Sequence, residues 1–384
     1  MKTNVTILLF LLLFSSRFVI GQSENSSNSP FTFEGKYVGD VFYNFGGGIG
    51  KGGTYLGMAS FIIGFNTEDA KLWKGGEFYL NGANTHGGEP SAEFIGDYQV
   101  ASNIEAGDLT YLHELWFKQS LGKFAVVLGL QDLCAEFISS DFASLYLNSS
   151  CGVHSTIANN LAVPIFPLTA LGAQFHYKIT DKFTFKIALF DGVPDDPSMN
   201  KHNIKWKLKK EDGYLFFSQI SYRNKSEKYP GNYKLGFYYH NPYSIANELD
   251  GGAIEIKKHS ENYGFYFILD QTLYQNENGK TLTVFTQTSI SPKKINENWY
   301  FFGVGLNYKG FLKQRIDDEA GIALSHAVIN NSIGNESTIE LTYKAILGNH
   351  FFIQPDFQYI INPAGTEKEL ENCLVGFLRI GLQF

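Results

Sequence analysis

The chain ends Leu378-Arg379-Ile380-Gly381-Leu382-Gln383-Phe384, and the alternation in that stretch decides how the rest is read. Successive side chains of an extended strand point to opposite faces. Leu378, Ile380, Leu382 and Phe384 therefore share one face, and Arg379, Gly381 and Gln383 share the other. The same period of two returns upstream. Leu171, Ala173, Phe175, Tyr177 and Ile179 alternate with Gly172, Gln174, His176 and Lys178. Tyr300, Phe302, Val304, Leu306 and Tyr308 alternate with Phe301, Gly303, Gly305, Asn307 and Lys309, and Ile339, Leu341, Tyr343 and Ala345 with Glu340, Thr342 and Lys344. Aromatics at both ends of a face with aliphatics between suit a hydrocarbon band bordered by aromatic girdles. A soluble sandwich also alternates, so the weight lies in recurrence. About seventeen such segments, each of about ten residues, run from 35–45 to 375–384 with Gly, Asn, Asp and Pro between them. A bacterial barrel takes an even number of strands, so the expected fold is all-β, a closed antiparallel transmembrane β-barrel of about sixteen strands. Closure is forced, because an open edge in lipid leaves backbone donors unpaired.

Composition agrees. Aromatic residues make up 16% of the chain and charged residues 18%, below the roughly 25% charge usual in soluble proteins. The one long apolar run is Val5–Phe14, behind Lys2 and ahead of small residues at Ser15-Ser16 and Gly21, which reads as a secretory signal over 1–21. It is too short to span a bilayer as a helix. Residues 22–33 read as a polar, disordered leader, and 34–384 as the barrel. Without Lys2 and Arg17, 29 basic residues face 38 acidic ones, a balance of −9. That excludes a nucleic-acid binder, which needs a basic face, and a phosphate channel, which needs a basic lining. The cysteines are Cys134, Cys151 and Cys373, an odd count that rules out a full disulfide framework. Cys134 and Cys151 are close enough in sequence to staple one loop, or to remain separate thiols. Asn25-Ser-Ser and Asn148-Ser-Ser match glycosylation acceptors, a motif common by chance. The terminal Phe384 on an amphipathic strand resembles the signal by which outer-membrane barrels engage their assembly machinery.

Two stretches resemble the carbohydrate-selective porin family of OprB type. The first is Leu128-Gly-Leu-Gln-Asp-Leu-Cys-Ala-Glu-Phe137, continuing through Asp141-Phe-Ala, Leu147-Asn-Ser-Ser150, Phe166-Pro-Leu-Thr-Ala-Leu-Gly172 and Phe190-Asp-Gly-Val-Pro194. The second is Glu340-Leu-Thr-Tyr343, Gln354-Pro-Asp-Phe-Gln-Tyr359, Ile361-Asn-Pro363 and Gly381-Leu-Gln-Phe384. The resemblance is weakest over 195–335, and the cysteines depart from the family pattern. It implies a sixteen-stranded porin passing mono- or small oligosaccharides across the outer membrane of a Gram-negative bacterium, as a monomer or trimer and without a cofactor.

Neutral sugars need hydrogen-bonding side chains and aromatic plates for their apolar ring faces. Alternation supplies inward candidates: Glu93, Asp97, Glu114, Trp116, Lys118, Gln174, His176, Lys186, Arg223, Lys234, Asp356, Gln358 and Arg379. Any of them could equally be a wall residue that only holds water. Residues 131–150 break the strand pattern, and Phe137, Asp141 and Leu145 fall at helical spacing. The stretch reads as a loop folded inward to narrow the barrel, with Gln131, Asp132, Glu136 and Asp141 at the constriction; an external loop is the alternative. Pro355 removes a ladder donor, tolerable at a bulge or strand end. Gly46–Gly53 lacks the phosphate-loop pattern and reads as a flexible connection between the first two strands. The His residues show no metal spacing, and no nucleophile elbow occurs. His326 and Ser325 fall on opposite faces. A channel selective for carbohydrate is the leading reading; a general or structural barrel, or a secreted lectin-like protein, is the alternative.

Overall fold

A computed structural model describes residues 29–241, 244–249, 253–258, 261–329, 334–363 and 370–384; the expected signal and residues 22–28 of the leader lie outside them. The strands are β1 (Phe31–Gly46), β2 (Gly52–Asn66), β3 (Gly76–Gly87), β4 (Leu109–Leu121), β5 (Phe124–Gln131) and β6 (Ala170–Lys178). They continue as β7 (Phe183–Asp191), β8 (Tyr214–Asn224), β9 (Gly231–His240), β10 (Ser244–Leu249), β11 (Ala253–Lys258) and β12 (Asn262–Gln275). The last are β13 (Thr281–Ile290), β14 (Asn298–Lys309), β15 (Glu319–Ile329), β16 (Glu336–Leu347), β17 (Phe351–Ile361) and β18 (Cys373–Gln383). Sixteen of these close into one antiparallel barrel, while β10 and β11 pair only with each other. β1 begins at Phe31, inside the stretch expected as leader.

The barrel closes by pairing its two ends. β1 runs antiparallel to β18 from Lys36↔Gln383 to Gly46↔Leu374, and Phe384 exchanges both backbone hydrogen bonds with Gly35, at 3.0 and 2.9 Å. Short turns occupy one end of the barrel. The longer connections 88–108, 132–169 and 192–213 occupy the other.

The outward face is apolar, with Leu128, Leu189, Leu341, Phe357 and Leu378 exposed. Near the short-turn end an aromatic girdle passes from strand to strand. Phe65, Phe78 and Phe117 lie 6.1 and 4.6 Å apart, Phe124 and Tyr177 4.8 Å, and Phe183, Tyr222 and Tyr233 4.8 and 5.9 Å. Such rings place an apolar body against lipid and leave the edge near water.

Two loops, 88–108 and 132–169, pack against the inward face. Phe137, Ile157, Phe217, Tyr266 and Ile268 join one buried cluster, in which loop 132–169 covers the wall of β7, β8, β9 and β12. A second cluster holds Ile95, Ala101 and Ile104 of loop 88–108 against Phe42, Val375 and Phe377. Each wall strand thus alternates lipid-facing with loop- or water-facing residues.

Several expectations need correcting. Glu93 and Asp97 sit on loop 88–108, not on a strand. Phe137, Asp141 and Leu145 do not share a helix: the loop is broken into single turns at Leu133–Ala135, Ala143–Leu145, Ser149–Gly152 and Ser155–Ala158. Pro355 lies mid-strand, where the β16–β17 ladder opens between Thr342↔Asp356 and Ala345↔Ile353 and resumes without a shift. The Gly46–Gly53 turn is tethered. Gly48 N–H donates to Glu371 O at 3.0 Å, and Asn44 Nδ2 donates to the carbonyls of Gly47, Gly50 and Phe94. Gly48 has φ +65°, and a Cβ there would stand 2.7 Å from Ile95 O, so only glycine fits. All three cysteines are free thiols. Asn148 is buried and caps a helical turn, accepting from Ser150 N–H at 3.0 Å.

Candidate functional site

The loops fill the barrel unevenly. Inward side chains of β13 to β16, among them Phe285, Gln287, Phe301, Ser325 and Thr338, are fully buried behind loop 132–169. On β2 to β8 only the inward side chains toward the short-turn end stay open: Ser60, Tyr79, Trp116, Lys118, His176 and Lys186 are half-buried and Arg223 is exposed, whereas Asn81, Glu114, Gln174, Ala188 and Gln219 farther along are buried. The open lane therefore follows the short-turn half of the β2–β8 wall.

The candidates fall into three groups. In the first, Trp116 on β4 stacks on Tyr79 of β3, ring centres 4.7 Å apart and planes 11° from parallel. Its Nε1 donates to Glu114 Oε1 at 3.3 Å. Lys118 pairs with Glu77 at 3.6 Å, and Lys186 of β7 forms an ion pair with Glu136 of the loop. Burial would raise the Glu136 carboxyl, but Lys186 holds it below its ordinary range. Gln131 and Asp132 lie beside this group without facing open space. Gln131 donates to Gly172 O at 2.8 Å and accepts from Gln174 at 2.5 Å. Asp132 accepts from Cys134 N–H at 2.7 Å and lies 3.4 Å from His113 Nε2.

The second group lies at the short-turn end. Arg223, Asp141, Asn232, Asp270 and Phe142 line a cavity of ≈ 250 Å³. Asp141 is exposed and its backbone N–H donates to Asp270 Oδ2 at 3.1 Å.

In the third group the side chains are occupied by protein partners. Gln358 donates to Ala101 O at 2.8 Å and to Asp356 Oδ1 at 3.3 Å. Arg379 makes a two-pronged ion pair with Asp40, at 2.7 and 2.8 Å. These residues hold loop 88–108 and the barrel seam.

Among the loop groups that burial shifts are a histidine and a glutamate. His154, enclosed by Phe301 and Tyr266, is pushed down to about 3 and stays neutral. Glu105 is pushed up to about 8 by burial and by Asp97 beside it.

Sequence reading missed Tyr79, Asp270, Asp40 and Glu336 as site residues, and took Glu340 only as part of an alternating face. Their parity was legible, but no motif encodes their partners: a ring face for Tyr79, loop backbone amides for Asp270, Glu336 and Glu340, and the Arg379 guanidinium for Asp40.

The profile described as "Carbohydrate-selective porin, OprB family" matches residues 50–384. The chain belongs to the carbohydrate-selective porin family. Porin B of Pseudomonas aeruginosa is 22% identical to this porin, over 92% of this chain and 87% of the relative. The high-pH structure of Pseudomonas putida OprB superposes with a TM-score of 0.81 at 21% identity, covering 92% of this chain and 94% of that one. OmpT of Vibrio cholerae, as a loop L8 deletion mutant, shares the fold at a TM-score of 0.57 and 8% identity, over 92% and 99%. The porin is an outer-membrane channel and not an enzyme, with its short turns on the periplasmic side and its long loops outside.

Proposed function

We propose that the porin passes neutral mono- and small oligosaccharides by passive diffusion down the lane along β2–β8, with loop 132–169 as its constriction. The observation that carries this reading is the composition of the lane. The Tyr79–Trp116 stack offers an aromatic plate to a sugar ring, and the paired charges Lys118–Glu77 and Lys186–Glu136 offer donors and acceptors without a strong net field. Trp116, Glu136, Asp141 and Arg223 meet the solute. Gln131, Asp132, Asp356, Gln358 and Arg379 shape the wall behind it. One barrel encloses one lane, so conduction needs no second copy, whether the porin is a monomer or a trimer. Residues 1–21 direct export, and the strand ending at Phe384 engages the assembly machinery before the barrel embeds in outer-membrane lipid.

Reconstitution in a planar bilayer tests the reading. Glucose and maltose are expected to block single-channel current in a saturable way. Current indifferent to both sugars leaves a general pore, and absent current leaves a structural barrel.

A further inference from the structure

We infer that Glu336 and Glu340 of β16 are positioning residues that set the aperture of the porin by clamping both inward loops to one strand. Glu340 Oε1 accepts the backbone N–H of Leu147 at 2.5 Å, and Oε2 accepts that of Asn148 at 3.2 Å. Glu336 repeats the device on the other loop: Oε2 accepts from Tyr98 N–H at 2.7 Å and Oε1 from Gln99 N–H at 3.0 Å. In each case both oxygens of one carboxylate take consecutive amides.

Spacing makes this possible. Four residues apart on a strand, the two side chains share the inward face about 13 Å from each other. Both are buried, at 0% and 1% exposure, so the carboxyl groups face the loops and not solute, and Glu340 also hydrogen-bonds the Asp356 carboxyl of β17. The loops are also bonded together where the clamps meet. Asn103 N–H donates to Leu147 O at 2.8 Å, and Ser149 N–H donates to Val100 O at 2.9 Å. The assembly behaves as a single raft held at two points on β16. Deeper in the barrel, Asp270 takes a hydroxyl and an amide instead, Ser140 Oγ–H on one oxygen and Asp141 N–H on the other.

Only a carboxylate fits the role. Each of its two oxygens can accept a backbone N–H, so it can face two N–H groups at once. Glutamine would turn an NH₂ toward one of them, donor against donor, leaving a buried amide unpaired. The far edge of the raft borders the lane, so slack at the clamp is read out as lane width.

The inference rests on the lane being the conducting path, and its test separates the two ideas. Single-channel conductance and glucose block are measured for wild type, Glu340→Gln, Glu336→Gln and the shorter Glu340→Asp, with heat-modifiable gel migration confirming closed barrels. Loss of one charge-assisted pair is expected to raise conductance about twofold and weaken glucose block about fivefold in each Gln variant. Glu340→Asp should fall between Gln and wild type. A merely structural residue would lower the melting temperature and leave the current of folded channels unchanged. If wild type is blocked by glucose and both Gln variants match it in current and block, the clamp is overturned while the sugar reading stands. If wild type conducts but ignores sugar, the sugar reading falls, and conductance alone decides the clamp. Should Glu340→Gln fail to assemble, Glu336→Gln and Glu340→Asp decide it by the same measurements.

Discussion

Replacing Arg379 by alanine should destabilise the barrel at the strand pair that closes it. Asp40 and Arg379 are direct cross-strand partners in the β1–β18 pairing. The carboxylate is 0% exposed and the guanidinium residue 7%. Asp40 accepts from Arg379 Nε at 2.7 Å, from Arg379 Nη2 at 2.8 Å and from Ser102 Oγ at 2.7 Å. Arg379→Ala removes the first two and leaves a buried charge with one neutral donor. Breaking a buried pair from one side costs about 3–5 kcal/mol, a shift of roughly two to four decades in the folding equilibrium. Asp40→Ala should cost a similar amount. Substituting both partners by apolar residues, Asp40→Leu with Arg379→Met, should recover much of the loss, because no charge is then stranded. Urea unfolding from lipid vesicles, followed by tryptophan fluorescence and gel migration, measures all three. A single-variant loss under about 1 kcal/mol, or a double variant equal to the sum of the singles, would refute the reasoning.

Trp116→Ala removes one plate of the Tyr79–Trp116 stack, and glucose block should weaken about fivefold with the barrel intact, by the roughly 1 kcal/mol such a ring contributes; unchanged block would remove Trp116 from the solute path. Loop 88–108 should loosen in alkali. Glu105 rises from 4.5 to about 8 in the folded loop, so between those pH values the native state holds the extra proton, and stability declines as pH rises and is lost past the upper value. Hydrogen exchange across this range should show the decline, and Glu105→Gln should flatten it; an equal slope in the variant would assign the effect elsewhere. Thiol titration of denatured, unreduced protein should find three free cysteines, and a count of one would mean that a disulfide exists.

The barrel was legible because lipid and lumen impose opposite demands on neighbouring residues. The terminal strand shows it: Leu378 is exposed to the membrane side and Arg379 is buried inside, as parity requires. What parity could not say is what stands opposite an inward side chain. Parity assigns Gln358, Asp356 and Arg379 to the solute, yet Gln358 bonds Ala101 O and Asp356 two residues away on its own strand, and Arg379 bonds Asp40; Ala101 and Asp40 are distant in sequence and brought close only by the fold. The loop was harder still. Its apolar residues follow no single period, because each turn presents to a different strand. Phe137 packs on Phe217 of β8, while Tyr146 reaches Leu306 O and Asn307 of β14.

The cluster that joins Phe137 and Ile157 to Phe217 and Tyr266 has a mechanical consequence. A segment bound to its wall by a dry core cannot swing aside as a shutter, since doing so would wet the whole greasy strip at once. The bore therefore acts as a fixed stop. Adjustment is confined to the exposed lip around Asp141 and Ser144, where a side chain can turn without lifting anything else.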